Sequence, residues 1–134
     1  MKNLSFAESR YVELMINGDP DRVIRFDPSD YNIVKRLNEA QAALNDINTD
    51  GEAIDVLMRA DAAVRHQIDK VFGAPVADIA FGVTNALTPV DEDGTMLFEA
   101  FLQAVVPEIV SAVEKRQQGA KSRVDQYLKP YTKE

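Results

Sequence analysis

The run at residues 93–117, DGTMLFEAFLQAVVPEIVSAVEKRQ, constrains the fold more than any other stretch. Met96, Leu97, Phe98, Phe101, Leu102, Val105, Val106, Ile109, Val110 and Val113 recur there at spacings of three and four. On a 3.6-residue period this predicts a helix with a broad apolar stripe, around which the other segments should pack. Pro107 lacks the amide that would bond the preceding turn, so a kink or a fresh helical start is expected there.

The other elements follow from punctuation. YVELMI at 11–16 and RVIRF at 22–26 flank Asn17, Gly18, Asp19, Pro20 and Asp21, which predicts a β-hairpin. In the second run Val23 and Arg25 should face one way, and Arg22, Ile24 and Phe26 the other. An isolated hairpin is marginal in water, so one face should lie on the helical body or an edge should pair with another chain. Asp27 is placed to cap a helix opening at Pro28, with Asp30 in its first turn. Ile33, Leu37, Ala40, Leu44 and Ile47 keep helical spacing, so this helix should run to about Asp46.

A polar link at 48–51 follows, with Thr49 and Glu52 at capping-box spacing. The second helix carries Ile54, Leu57, Met58, Val64, Ile68 and Val71, and Gly73 should end it in a left-handed cap. So short a link implies antiparallel neighbours. Asp61 falls on the apolar stripe; it either reaches water or Arg65 at the stripe's edge, or meets a second subunit. Residues 74–82 fit a short helix bounded by glycines, and residues 83–93 a loop. The expected fold is α+β and mostly α: an N-terminal hairpin and a bundle of about four helices in one domain, residues 1–118. Residues 119–134 should form a flexible or semi-helical tail.

Composition narrows the function classes. At 134 residues the chain is long enough for one real core. Cysteine is absent, which excludes disulfides, thiolate nucleophiles and Cys-ligated metals. Neither a signal peptide nor a membrane span is apparent, so a cytoplasmic protein without membrane contact is expected. The net charge of -7 is uneven: residues 1–26 sum to 0, residues 27–99 to -9 and residues 100–134 to +2. An acidic body repels phosphate backbones, which argues against nucleic-acid binding. The basic end could meet an acidic partner surface or the acidic body of a second copy.

Catalytic constellations are weak. His66 is the only histidine, Ser111 lies inside the long helix without a nucleophile elbow, and no glycine-rich phosphate loop occurs. The expectation is no enzyme and no cofactor. Asp46, Asn48, Asp50 and Gly51 reproduce the opening of a calcium loop, but its twelfth position is Leu57 where a bidentate acid is required. What remains is surface for partners. Phe72, Ile79, Phe81, Phe98 and Phe101 are expected to flank a client groove, and Tyr127, Leu128 and Tyr131 to form an adhesive tail. The hairpin, through Tyr11, Val12, Leu14, Val23, Ile24 and Phe26, is expected to mediate self-association into a homo-oligomer.

Several of these segments together carry a family likeness. They are RVIRFDPSD closing the hairpin, Phe72, Gly73 and Pro75 leading to Phe81 and Gly82, Phe98, Phe101, Leu102 and Pro107 in the long helix, and Tyr127 to Tyr131 as Y-L-K-x-Y. In this order the chain resembles the tail assembly chaperones of siphophages and prophages of Gram-positive bacteria. The resemblance implies a helper in the bacterial host cytoplasm, missing from the mature virion, that solubilises the tape measure protein and yields it as tail tube subunits polymerise. In that family some copies carry a C-terminal extension made by frameshifting, and this chain would correspond to the short product. Two alternatives stand beside it: a structural tail-completion or connector subunit, and a metal-responsive adaptor built on the Asp46 loop.

Overall fold

The computed structural model describes residues 1–47 and 50–128, excluding the side chains of Tyr127 and Leu128. Asn17 and Gly18 both take positive φ, 51° and 74°, and so close a tight turn between β1 (Val12–Ile16) and β2 (Asp19–Phe26). Two successive left-handed residues match the twist of a hairpin, so Asn-Gly alone suffices to reverse the chain. Asp19, Pro20 and Asp21, expected in the turn, belong to β2 instead. Ile16 pairs with Asp19 while Met15 pairs with Val23, so the register slips across an irregular stretch. The facing is as the alternation predicts: Ile24 and Phe26 are buried, and Arg25 is exposed.

Four α-helices follow, giving an α+β fold that is mostly α: α1 (Asn32–Asn45), α2 (Ala53–Phe72), α3 (Val76–Phe81) and α4 (Leu97–Leu128). The first starts later than expected because Asp27 and Pro28 form a turn. The Asp27 carboxylate accepts the Ser29 amide at 2.9 Å, and Asp30 accepts the Asn32 amide at 3.1 Å at the helix entrance. Arg36 near the start of α1 donates to the Val71 carbonyl at the end of α2, so the two helices run antiparallel. The expected Thr49 capping box lies outside the described residues.

Gly73 ends α2 at φ 65°, its amide bonded to the Asp69 carbonyl at 2.8 Å, which is the left-handed cap expected there. The Asp69 side chain also serves the next element, because its carboxylate accepts the Ala77 amide at 2.8 Å and satisfies the opening turn of α3. At the other end of α3, Arg22 of β2 donates to the carbonyls of Ile79 and Ala80 at 3.0 and 2.6 Å. A cation at a helix C-terminus complements both the unpaired carbonyls and the dipole.

The long helix corrects the expectation in three ways. It begins at Leu97 and not near Asp93, with Glu99 accepting the Met96 amide at 3.0 Å. It is continuous through Pro107, without a fresh start; it also passes through Gly119, so residues 119–128 are helical, which fits the semi-helical alternative for the tail. Its buried stripe is also narrower: Val105, Ile109 and Val113 are enclosed while Val110 is exposed. Leu102 reaches the cleft between α1 and α2, beside Leu37, Leu44 and Ile68. The core is shared among these helices and the inner face of the hairpin, and every fully buried residue described in it is apolar.

The start of α2 departs from its periodicity. Ile54, Leu57 and Met58 repeat as a core stripe would, yet all three are exposed, because no described element packs over that end of the helix. Only from Ala60 onward does the stripe meet a neighbour.

Candidate functional site: an apolar groove between the hairpin and α4

An open groove of about 390 Å³ runs between the hairpin and the first three turns of α4. One wall is Leu14, Met15, Ile16 and Ile24, the other is Leu97, Ala100, Phe101, Ala104 and Val105, and Ala80 and Phe81 form the floor. Each wall has a local cause. Leu14 pairs with Ile24 across the hairpin, so both point to the same face. Residues 97, 100, 101, 104, 105 and 108 lie on one side of a helix, and the small side chains of Ala100 and Ala104 leave the space open. Asn17 and Glu108 are the polar residues in its lining.

Phe101 is the pivot of the site. Its ring meets Phe81 edge to face at 5.6 Å between centroids, a favourable aromatic geometry, and lies 6.4 Å from Phe72 with the two rings tilted by 55°. Three of the expected client residues are thus brought together, two of them lining the groove. Ile79 and Phe98 pack against the core and do not line it. Tyr131 and the side chains of Tyr127 and Leu128 fall outside the described residues.

The hairpin residues expected at a self-association surface divide. Ile24 and Phe26 are each 3% exposed and pack in the core, and Ile24 also borders the groove. Val12 and Leu14 pack partly against the core from the paired strand. Tyr11 lies beneath two guanidiniums, Arg10 at 4.6 Å and Arg25 at 4.3 Å from its ring centre. Val23 is partly exposed and pairs with Met15, which is 60% exposed and borders the groove.

The remaining candidates are not drawn together. Asp46 is the C-cap residue of α1, Asn48 lies outside the described residues, and the Asp50 carbonyl accepts a hydrogen bond from Arg59. Among the described residues no group of three or more histidines or carboxylates is arranged to hold a metal ion. His66 and Ser111 are exposed on separate helices. Among the described residues no helix is long and apolar enough to cross a membrane.

Ala100, Ala104 and Glu108 were missed as lining residues. Ala100 and Ala104 repeat as small residues at i, i+4 beside Phe101 and Val105, but alanine on an apolar stripe normally reads as core, and Glu108 carries no such signal. No family model, curated protein or solved structure matches the chain.

Proposed function

We propose that this protein is a non-catalytic assembly chaperone of phage tails, which holds apolar helical segments of the tape measure protein in the groove and helps recruit tail tube subunits. The observation that supports this reading is the groove itself: an open, mostly apolar cleft on an acidic body, walled by a helix and a hairpin. Its α4 wall from Leu97 to Glu108 is about 16 Å long at the rise of an α-helix, which suits three turns of a client helix. An amphipathic helix laid in a groove is recognised through apolar anchors at i, i+3 or i+4, and i+7. The order of segments from RVIRFDPSD to the Y-L-K-x-Y end supplies the particular client through its family likeness. On this reading the protein acts in the cytoplasm of the bacterial host and is shed before the virion matures.

Co-expression with the tape measure protein that this reading assigns as client tests the proposal. The client should become soluble and co-purify with the wild-type chain, and Ala104→Trp, which fills the groove from an exposed position, should abolish both effects. A client that stays equally insoluble with and without this protein, and never co-purifies, removes the reading.

A further inference from the structure

The groove and the far end of α4 are built on one helix, and their characters are opposite. Residues 115–134 carry six basic and two acidic side chains, a net +4, whereas residues 1–114 sum to -11. Beyond Arg116, which donates to Ser29 at 2.7 Å and to the Arg10 carbonyl at 2.9 Å, every side chain described on α4 is exposed. Val124 is 52% exposed on this projecting segment, and Tyr127 and Leu128 follow it at three and four residues in the sequence. Among the described residues beyond Arg116 none is buried, so the exposed Val124 sits on a basic helical end. The groove, with the Glu108 carboxylate in its lining, offers an apolar surface of the complementary sign.

The chain cannot join the two by itself. Val124 lies twenty residues beyond Ala104 in a continuous helix, a separation of about 30 Å along the axis. Folding the end back into its own groove would require breaking α4. We infer that the C-terminal end of α4 from a second copy occupies the groove between the hairpin and α4. This contact joins two different surfaces, so a pair of copies still carries one free groove, on one copy, and one free helix end, on the other. Such head-to-tail interfaces grow into rings or filaments and do not stop at dimers. A client helix would have to displace this end from the groove, but the contact needs only copies of this chain, and so it stands or falls without the tape measure protein.

A complementation experiment on purified full-length chains tests it by sedimentation velocity. The wild-type protein should form species larger than a dimer as concentration rises, and higher salt should weaken them because opposite charges are screened. Removing residues 120–134, or blocking the groove with Ala104→Trp, should each give monomers. Mixing the tail-less chain with the groove-blocked chain should restore a one-to-one complex, because one supplies the groove and the other the helix end. Glu108→Arg, an exposed change that leaves packing intact, should weaken assembly by about tenfold at low salt. Circular dichroism confirms that each variant folds. A wild-type chain that stays monomeric throughout overturns the inference, as does a mixture that fails to associate, or groove-blocked and tail-less chains that assemble like wild type.

Discussion

The Arg65 guanidinium meets the Asp61 carboxylate one turn earlier on α2 at 3.1 Å, and that same carboxylate accepts the Ala86 amide at 2.7 Å. Arg65 also reaches Asp78 at 2.8 Å and the carbonyls of Gly82 and Thr84 at 2.9 and 2.7 Å. One pair on the stripe of α2 thereby pins both the end of α3 and the loop leading to α4. The side chains are only 17% and 24% exposed, so their hydrogen bonds are partly shielded from water.

Arg65→Ala should cost about 2–3 kcal/mol, the scale of losing shielded hydrogen bonds to a charged group. Arg65→Lys should recover less than half of that, because an ammonium cannot fork toward several acceptors at once. Urea denaturation measures both, and an Arg65→Ala midpoint equal to wild type would contradict this role.

Neighbouring residues on α4 should behave oppositely. Ile109 has no exposed surface, and Ile109→Ala should cost about 2–4 kcal/mol in lost contacts and residual cavity. Val110 is 38% exposed, and Val110→Ala should stay within about 0.5 kcal/mol of wild type. Thermal unfolding of the two variants checks the contrast, which fails if they are equally destabilised.

Two glycines should answer alanine with opposite signs. At Gly73 a side chain would be held at φ 65°, so Gly73→Ala should destabilise by about 1–2 kcal/mol although nothing crowds the position. Gly119 lies inside α4 with open space around it, so Gly119→Ala should increase helicity, worth about 1 kcal/mol of local preference. Ellipticity at the helical minimum and the unfolding midpoint separate the two effects.

The Asp91 carboxyl lies below the ordinary aspartate value of 3.8, chiefly because of its side-chain hydrogen bond with Thr95, with the Thr95, Asp93 and Gly94 amides adding to it. A lowered folded-state value contributes stability above the unfolded value of 3.8, and that contribution is lost as pH falls through the lower folded value. In an NMR titration Asp91 should titrate below the ordinary aspartate value of 3.8. Thr95→Val should move it part of the way back, since the backbone bonds remain. An unchanged titration in that variant would assign the shift to the backbone alone.

Local features were legible in the sequence because their causes are local. Asn17-Gly18 encodes the hairpin turn through its tolerance of positive φ, Gly73 encodes the end of α2 in the same way, and the alternation around Ile24 and Phe26 encodes which face is inward. The candidate site was legible only in part. Phe72, Phe81 and Phe101 stand out as aromatics, but their convergence joins the ends of α2 and α3 to the start of α4. The groove opposes residues near position 15 to residues near position 100, and nothing in either segment names the other.

From the sequence alone come the order of elements, the Asn17-Gly18 turn, the Gly73 cap, the faces of the hairpin and the opposed charges of body and tail, since each depends on neighbouring residues or on composition. The tertiary structure decided that Ile54, Leu57 and Met58 stay exposed, that Ile24 and Phe26 are buried in the core, and that α4 runs unbroken past Pro107 and Gly119. Periodicity states which face of an element is apolar. Whether that face is covered depends on which distant segment reaches it, and only packing determines that.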